Sequence, residues 1–288
     1  MVISVLSGKG GTGKTTVVAA LSELIEVGIQ VDCDVDAPNL YLFYHGVDRE
    51  RESFFGSKRA WIDESVCTKC ESCKMVCRFG AIQNLRIDPL LCEGCGACVL
   101  VCPQHAIQLE EEKTADVYLT ENKTGILSRA RMEIGSDGSG KLVTKLRKNA
   151  AQFADNRSIQ LIDGSPGIGC SVMASIANND ITLIVTEPTQ SGLADLRRIF
   201  ELTKHFDTSV MICVNKFDVN PGMTEQMEMF AKEMQVQIVG KIPFDPMVME
   251  AVNTLKPITQ FYGSTARKAI EAMWNCMKQE INRKCERK

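Results

Sequence analysis

Short apolar runs alternate with amphipathic segments over most of the chain. The first run, Val2–Leu6, precedes a glycine-rich loop and a helical pattern from Lys14 to about Glu26. A second short run follows near Gln30–Asp34. Later strand candidates are Ser158–Asp163, Ile181–Thr186, Val210–Asn215 and Val236–Ile242. Helical patterns cover Gly192–His205, Pro221–Met234 and Ser264–Lys284. This alternation predicts an α/β fold with a mainly parallel sheet covered by helices on both faces.

A cysteine-rich stretch interrupts this alternation. Residues 57–112 contain eight closely spaced cysteines and no helical pattern of normal length. The strand and helix pattern resumes from about residue 113. We therefore predict a discontinuous α/β domain over residues 1–56 and 113–288, with a small α+β domain inserted at residues 57–112.

The inserted stretch carries an internal repeat. Ile62-Asp63 recurs as Ile87-Asp88, and Ala81-Ile82 recurs as Ala106-Ile107, in each case 25 positions later. The cysteines Cys67, Cys70, Cys73 and Cys77 recur at the same offset as Cys92, Cys95, Cys98 and Cys102. A fixed period shared by so many positions indicates two similar half-modules.

Length and composition narrow the class of protein. At 288 residues, 44% of them hydrophobic, the chain is long enough for one large and one small domain. A net charge of −3 gives no indication of nucleic-acid binding. No apolar run approaches the roughly 18 residues typical of a membrane span, and Met1–Leu6 has no features of a secretion signal. We therefore predict a cytoplasmic protein, in which 13 cysteines favour metal or cluster ligation over disulfides.

The glycine-rich loop at residues 8–15 matches G-x-x-x-x-G-K-[ST] between a predicted strand and a predicted helix. Glycines allow a tight turn in which successive backbone N–H groups face a phosphate, and the helix N-terminus adds partial positive charge. Lys14 is expected to reach the β- and γ-phosphates, and the Thr15 hydroxyl to ligate Mg²⁺. The predicted cofactor-binding residues here are Gly8, Gly10, Gly11, Thr12, Gly13, Lys14, Thr15 and Thr16.

A second lysine lies inside the loop. Lys9 crowds Lys14 electrostatically unless anionic phosphate lies between them. The segment K-G-G-T-G-K-T resembles the deviant Walker A loop of the MinD/ParA family of ATPases. In that family the extra lysine contacts the nucleotide of the opposing subunit. The resemblance therefore implies catalytic roles for Lys9 and Lys14 in an ATP-sandwiched dimer.

Two acidic segments extend this resemblance. The segment Asp32–Leu40 is similar to the family's switch I, which implies that Asp34 orients the attacking water and that Asp32 lies near the metal. The segment from Asp163 to Gly167 is similar to switch II. This similarity implies that Asp163 holds Mg²⁺ through water and that Gly167 senses the γ-phosphate. The alternative for the acidic residues is an ordinary capping role in loops at strand ends.

The run Asn215-Lys-Phe-Asp218 bears on the identity of the base. It matches the N-K-x-D pattern with which GTPases read guanine, so GTP is one alternative. In MinD-like ATPases the corresponding asparagine contacts adenine, together with a later loop that Ile242–Pro246 resembles. The resemblance implies adenine contacts from Asn215 and Pro243, and Lys9 favours ATP over GTP.

The second cysteine run has the C-x2-C-x2-C-x3-C-P spacing of bacterial ferredoxins, in which the fourth cysteine ligates the other cluster. The first run has the same spacing without the proline. We predict two 4Fe–4S clusters with crossed fourth ligands. The first is ligated by Cys67, Cys70, Cys73 and Cys102, and the second by Cys92, Cys95, Cys98 and Cys77. Two zinc sites are the alternative, which three closely spaced ligands per run disfavour.

Other features depart from the MinD pattern or lie outside it. Lys14 and Asp34 are closer in sequence than is usual in MinD-like proteins, and the membrane-binding tail is not evident.

The stripe of Ile270, Met273, Trp274, Met277 and Ile281 is expected to pack on the sheet. Packing or incidental roles are expected for Cys33, Cys213, Cys276 and Cys285. Burial is the favoured expectation for Cys170.

The whole pattern resembles MinD-superfamily ATPases with an inserted ferredoxin domain. The resemblance implies an enzyme that uses ATP and Mg²⁺ and carries two 4Fe–4S clusters, with its dimer switch coupled to electron transfer or cluster chemistry. The alternatives are a cluster carrier or assembly ATPase, and a MinD-like positioning ATPase with a redox-sensing insert. Expected partners are a second copy or a paralogous ATPase, and a redox or apo-acceptor protein. Nucleic acid and membrane are not expected as partners.

Overall fold

The computed structural model describes residues 1–25, 28–136, 139–155 and 158–286, with side chains through residue 282. The chain divides into two compact units. Unit 1 comprises Met1–Arg51, Val117–Ala130 and Gly138–Lys288. Unit 2 comprises Glu52–Asp116 and Arg131–Asp137.

Strands and helices alternate along unit 1. The strands of the chain are β1 (Val2–Ser7), β2 (Gly28–Asp32), β3 (Val47–Ile62), β4 (Ile82–Gln83), β5 (Arg86–Ile87), β6 (Ile107–Asn122), β7 (Gly125–Met132), β8 (Ile159–Pro166), β9 (Ile181–Thr186), β10 (Ser209–Asn215) and β11 (Gln237–Ile242). The helices are α1 (Lys14–Leu24), α2 (Ser72–Val76), α3 (Ala97–Val101), α4 (Gly140–Ala151), α5 (Cys170–Ile176), α6 (Gln190–Thr203), α7 (Pro221–Glu233), α8 (Met247–Asn253) and α9 (Thr265–Glu286). Short 3₁₀ helices cover Leu40–Phe43 and Ile258–Gln260.

The main sheet has the strand order β11-β10-β9-β1-β8-β2-β7-β6-β3. Strand β1 is central and pairs in parallel with both β8 and β9, and β10 continues the parallel order to β11. Residues of β1 and β9 are almost entirely buried, as expected for strands covered on both faces. The predicted α/β fold with a mainly parallel sheet is confirmed.

The carboxyl ends of these parallel strands meet at one edge of the sheet. Asp32 at the end of β2 is in register with Asp163 of β8, and Asp163 is also in register with Val5 of β1. Glu187 directly follows β9, and Asn215 ends β10. The topology therefore brings the candidate residues of several distant sequence segments to the same edge.

Several strands differ from the sequence-based prediction. The pattern did not predict β3, β6 or β7, and β8 extends through Pro166, past the predicted end at Asp163. Strand β3 is largely exposed and contains many charged residues, so it lacks the apolar run by which strands were recognised. Helix α1 ends at Leu24, and Glu26, the predicted end, lies outside the described residues.

Helix α9 packs on the sheet through the predicted apolar stripe. Ile270, Met273, Trp274 and Met277 are buried in the core beneath β11. Gly240 of β11 allows this close approach, because a Cβ there would lie 2.6 Å from the sulfur of Met273. Within the described part of the chain, we find no helix that is both long and apolar enough to cross a membrane.

Unit 2 repeats its backbone hydrogen bonds at an interval of 25 residues. The Asp63 amide donates to the Ala106 carbonyl (2.8 Å), and the Asp88 amide donates to the Ala81 carbonyl (2.7 Å). Since Asp88 and Ala106 are the repeat equivalents of Asp63 and Ala81, each half bonds the other in the same way. The helices α2 and α3 are also 25 residues apart and contact each other. The sequence repeat is therefore a structural repeat.

Backbone torsions follow the same repeat. Three pairs of equivalent residues lie in the left-handed region, namely Lys69 and Gly94, Glu71 and Gly96, and Gly80 and His105. The first two pairs lie between successive cysteines of each run, where such torsions bend the chain sharply. Glycine adopts them without steric cost, so the second half carries less strain between its cysteines than the first.

Candidate functional site

The glycine-rich loop joins β1 to the N-terminus of α1. Gly13 precedes the helix with φ of 87°, and a Cβ at this position would lie 2.3 Å from the side-chain nitrogen of Asn215. That nitrogen donates a hydrogen bond to the carbonyl of Thr12 (2.8 Å). No side chain caps the N-terminus of α1, so its first backbone N–H groups remain available to an anion. The Thr12 hydroxyl is buried without a hydrogen-bond partner in the described structure.

The remaining loop glycines differ in their surroundings. A Cβ on Gly8 would lie 2.1 Å from the Cβ of Asp195 on α6, so only glycine fits there. Gly10 and Gly11 are exposed, and Gly11 has φ of 82°. Thr16 lies half-buried in the first turn of α1.

Lys14 is buried in an acidic environment. Its ammonium forms an ion pair with Asp163, and its Nζ lies 3.5 Å from Oδ2 of Asp34. Burial alone would lower the pKa of Lys14, but the charges of Asp163 and Asp34 outweigh it and the pKa is raised. The lysine is therefore charged at the point where the loop meets the acidic edge of the sheet.

Three predicted metal-site residues lie together beside Lys14. The Thr15 hydroxyl donates to Oδ2 of Asp163 (2.8 Å). Asp32 is fully buried and accepts hydrogen bonds from the amides of Leu40 (3.1 Å) and Asp34 (3.2 Å). Burial and the charge of Asp163 raise the pKa of Asp32 to about 8. A hydroxyl and crowded carboxylates are the oxygen donors that suit Mg²⁺, whose charge relieves their repulsion.

Asp34 and Gly167 flank this group. Burial raises the pKa of Asp34, and repulsion from Asp163 adds to the effect against the attraction of Lys14. Gly167 has φ of 95° and its amide donates to the carbonyl of Ser7 (3.0 Å), so the loop after β8 is bonded to the start of the glycine-rich loop. The two segments resembling switches therefore both contact the Lys14 site or its loop.

Lys9 is paired within its own chain. Its Nζ lies 2.7 Å from Oε1 of Glu187 and 3.0 Å from the hydroxyl of Ser191. Glu187 also lies 3.4 Å from Nζ of Lys216. Burial alone would raise the pKa of Glu187, but its bond to Lys9 and the charges of both lysines lower it.

The segments expected at the base lie beside one another. Asp218 accepts a hydrogen bond from the amide of Phe244 (2.7 Å), and this links the loop after β10 to the loop after β11. Pro243 is half-buried in the second of these loops. Asn215 bonds the glycine-rich loop, as described above, so the candidate base region is tied directly to the candidate phosphate region.

Unit 2 contains two cavities, each bordered by four cysteines. The first is bordered by Cys67, Cys70, Cys73 and Cys102. The second is bordered by Cys77, Cys92, Cys95 and Cys98. In each case three thiols come from one run and the fourth from the other, so the structure groups the cysteines in the two crossed sets.

The walls of these cavities suit a sulfur-ligated group. Apolar side chains complete them, including Ile62 and Ile107 in the first and Ile82 and Ile87 in the second. The amide of Ala106 donates to the sulfur of Cys102 (3.3 Å). In the described ranges, no three His, Cys, Asp or Glu side chains converge as they would on a single metal ion. Four thiols spread around a cavity match a four-iron cluster, in which each cysteine binds a different iron.

The cysteines outside unit 2 give a mixed outcome. Cys33 and Cys213 are buried, as expected for packing residues. The expected burial of Cys170 is wrong, because this thiol is exposed at the first residue of α5. Cys276 is half-buried, and the side chain of Cys285 lies outside the described part of the chain.

Sequence reasoning missed the acidic and hydroxyl residues that contact the glycine-rich loop from β9 and α6. Glu187 and Ser191 bond Lys9, and Asp195 lies against Gly8. Only the position of Glu187 could have indicated a role, because it directly follows a predicted buried strand and binding sites lie at the carboxyl ends of parallel strands.

A glycine-rich loop between strand and helix, a buried lysine and carboxylates at adjoining strand ends define a phosphate-loop nucleotide-binding protein. The chain belongs to the CobQ/CobB/MinD/ParA nucleotide binding domain family, whose model matches residues 3–258. Membership in this family supports ATP binding and hydrolysis.

The chain is also similar to individual proteins. An uncharacterised protein of Methanocaldococcus jannaschii is 35% identical over 224 residues, which cover 76% of this chain and 79% of that protein. A cytosolic Fe-S cluster assembly factor Nubp1 homolog of Drosophila willistoni is 25% identical over 130 residues, or 38% of this chain and 42% of the relative. The septum site-determining protein MinD of Pyrococcus horikoshii, solved with Mg-ADP, has the same fold, with a TM-score of 0.58 and 19% identity over 94% of this chain and 93% of that one.

Proposed function

We propose that this chain is a Mg²⁺-dependent ATPase whose nucleotide-driven dimer switch is coupled to electron transfer or cluster chemistry at two 4Fe–4S clusters. One observation carries the proposal beyond family membership. Each of the two cavities in unit 2 is bordered by one of the two crossed cysteine sets, three thiols from one run and one from the other. Ligand crossing of this kind distinguishes a two-cluster ferredoxin module from two independent metal sites.

The proposed nucleotide chemistry uses residues already in contact. The N-terminus of α1 binds phosphate through its free backbone N–H groups, and Lys14 neutralises the β- and γ-phosphates. Thr15, Asp32 and Asp163 hold Mg²⁺, directly or through water. The contacts of Asp163 with Lys14 and Thr15 support the assignment. Bound phosphate would replace Asp163 as the partner of Lys14, and Mg²⁺ would replace Lys14 as the partner of Asp163.

Two further residues have proposed roles at the γ-phosphate. Asp34 orients the attacking water because its carboxylate accepts a hydrogen bond from that water. Gly167 lies in the loop after β8, and its bond to Ser7 supports a role in sensing whether the γ-phosphate is present. Loss of that phosphate would change the position of the loop relative to Lys14.

Lys9 is the residue proposed to act across a dimer. In this chain it pairs with Glu187, an interaction made at the rim of the glycine-rich loop. Nucleotide from an opposing subunit would offer Lys9 a phosphate in place of this carboxylate. The proposed partner is a second copy or a paralogous ATPase, and a redox or apo-acceptor protein is the proposed client of the clusters.

ATP is the proposed nucleotide. The carboxylate of Asp218 is engaged by the amide of Phe244, which supports a structural role for it in place of guanine recognition. Asn215 and Pro243 lie on the two loops joined by this bond, and we assign them to the adenine site.

The insert proposed at residues 57–112 would hold the clusters. Cys67, Cys70, Cys73 and Cys102 ligate one, and Cys92, Cys95, Cys98 and Cys77 ligate the other. When bound, such clusters supply one-electron redox chemistry at potentials set by charge, hydrogen bonds and exposure. The chain contributes apolar walls and backbone donors such as the Ala106 amide.

A cluster carrier or assembly ATPase is the second candidate. The similarity to a cytosolic Fe-S cluster assembly factor Nubp1 homolog favours it, although the match spans under half of either chain. The two functions differ in one measurable outcome, because a carrier transfers its iron to an apo-acceptor, whereas an electron-transfer protein keeps it.

Anaerobic purification with iron, zinc and nucleotide analysis tests the proposal. We expect about eight irons per chain, as two four-iron clusters require, with broad visible absorbance and bound adenine nucleotide. Stoichiometric zinc without that absorbance would refute the cluster assignment. Retention of all iron after incubation with an apo-ferredoxin would favour electron transfer over cluster delivery.

A further inference from the structure

Unit 2 exposes an apolar face on the two short helices that carry the cysteines. Met75 on α2 is 80% exposed, and its repeat equivalent Leu100 on α3 is 88% exposed. Val76 and Val101, the next residues in each half, are also exposed. Isolated exposed apolar side chains are common, but here two pairs recur at equivalent positions on helices that contact each other. We call Met75, Val76, Leu100 and Val101 the apolar patch.

The apolar patch lies next to ligands of both proposed clusters. Met75 and Val76 lie between Cys73 and Cys77, and these cysteines border different cavities. Leu100 and Val101 lie between Cys98 and Cys102 in the same way. A protein bound to the apolar patch would therefore contact residues that are only a few positions in sequence from cysteines at both cavities.

Charge is distributed unequally over the two halves. Residues 69–78 include the exposed cations Lys69, Lys74 and Arg78 and the anion Glu71, for a net charge of 3 − 1 = +2. The carboxylate of Glu71 lies 3.9 Å from Nζ of Lys74, which leaves Lys69 and Arg78 as the excess positive charge. The equivalent residues 94–103 contain no charged side chain. The equivalents of the three cations are Gly94, Val99 and Pro103. Because the two halves share the same backbone pattern, they differ here in surface charge and not in backbone structure.

We propose that the apolar patch, with Lys69, Lys74 and Arg78 beside it, is the docking surface for an acidic one-electron carrier protein. The inference rests on the proposed function, because it names the partner of the cluster module. A few exposed apolar side chains bordered by cations suit the small, transient interfaces of redox partners, in which charge steers the encounter. A stable dimer with a second copy requires a larger and more apolar contact. A docked, reduced carrier would lose one electron and one of the two proposed clusters would gain it, and no bond forms or breaks.

The test measures binding by the full-length protein, purified anaerobically with its iron content recorded. The probe is a purified acidic plant-type [2Fe–2S] ferredoxin, and the counter-probe is basic cytochrome c. We expect the ferredoxin to bind with an affinity that falls as salt rises, and cytochrome c not to bind. Binding of cytochrome c in preference to ferredoxin would overturn the proposal.

Charge reversal provides the specific test. The triple variant Lys69→Glu/Lys74→Glu/Arg78→Glu is expected to weaken ferredoxin binding at least about 10-fold at low salt. The matched control reverses three exposed lysines of unit 1 with the same change in net charge, as Lys232→Glu/Lys256→Glu/Lys268→Glu. The control is expected to bind like the unmodified protein. An equal loss in both variants would overturn the proposal, since it would reflect net charge alone.

The apolar contribution is tested separately. Met75→Ser/Leu100→Ser alters only exposed side chains, so the fold is expected to be preserved, and ferredoxin binding is expected to fall about 5-fold at high salt. Self-association or binding to phosphatidylglycerol vesicles that is lost in this variant, with ferredoxin binding unchanged, would assign the patch to a second copy or a membrane and overturn the proposal. Specific ferredoxin binding by a preparation that contains no iron would uphold the docking surface while refuting the cluster function.

Discussion

Paired cysteine variants are expected to retain either about four irons per chain or almost none, depending on which two cysteines are replaced. Cys67 and Cys102 border the same cavity, although they lie in different runs. Cys67→Ser/Cys102→Ser leaves all four thiols of the other cavity intact, so one complete cluster is expected to remain. Cys67→Ser/Cys77→Ser removes one thiol from each cavity and is expected to lose both clusters. Iron per chain after anaerobic purification is the measurement.

The comparison between these two variants tests the crossing itself. If each run instead bound its own cluster, the second variant would keep about four irons and the first would lose them. Cys170→Ser/Cys276→Ser is the control, and it is expected to keep the iron content of the unmodified protein, because neither thiol borders a cavity of unit 2. Equal iron in the two test variants would contradict the crossed assignment.

Replacement of Lys14 by alanine is expected to lower kcat/KM for ATP by at least about 10²-fold. The buried ammonium forms an ion pair with Asp163 and lies 3.5 Å from Oδ2 of Asp34, and its loss removes the group proposed to neutralise the β- and γ-phosphates. Steady-state hydrolysis with Mg²⁺ and equilibrium binding of a labelled ATP analogue are the measurements. A thermal melt of the same sample records any loss of stability from the unpaired carboxylates.

Lys9→Ala is the matched comparison for this variant. Lys9 is partly exposed and bonds Glu187 and Ser191, whereas Lys14 pairs with Asp34 and Asp163. We expect Lys9→Ala to bind one nucleotide per chain with near-normal affinity but to lose the ATP-dependent dimer in sedimentation velocity. A Lys9→Ala protein that dimerises normally with ATP would contradict the assigned role of Lys9, and a fully active Lys14→Ala protein would contradict that of Lys14.

Sequence alone predicted the parallel sheet because its central strands are continuous apolar runs. Strands β1, β9 and β10 are mostly buried, so a run of largely apolar residues marks each of them in the sequence. Strand β3 was missed for the opposite reason, since it is mostly exposed and charged, and its residues satisfy neither a continuous nor an alternating apolar pattern. Exposure at a sheet edge removes the apolar pattern by which a strand is recognised.

The sequence predicted those parts of the candidate site whose chemistry depends on the spacing of neighbouring residues. A phosphate loop and a repeated cysteine run depend on local backbone geometry, and local geometry is encoded by neighbouring residues. Glu187 and Asp195 contact the loop from segments about 180 residues away, so no local pattern marks them. The exposure of Cys170 was equally unpredictable, because the alternation of strands and helices does not say which side of a short helix start faces solvent.

The proposed coupling between nucleotide and clusters has a direct consequence for redox potential. Typical coupling free energies of about 1–3 kcal/mol correspond to roughly 40–130 mV for a one-electron couple. The measurement is a redox titration of the anaerobically purified protein, followed by optical and electron paramagnetic resonance spectra, with and without ATP and Mg²⁺. The account predicts that nucleotide shifts at least one cluster potential within that range in the unmodified protein and not in Lys14→Ala. Potentials that are identical with and without nucleotide would contradict it.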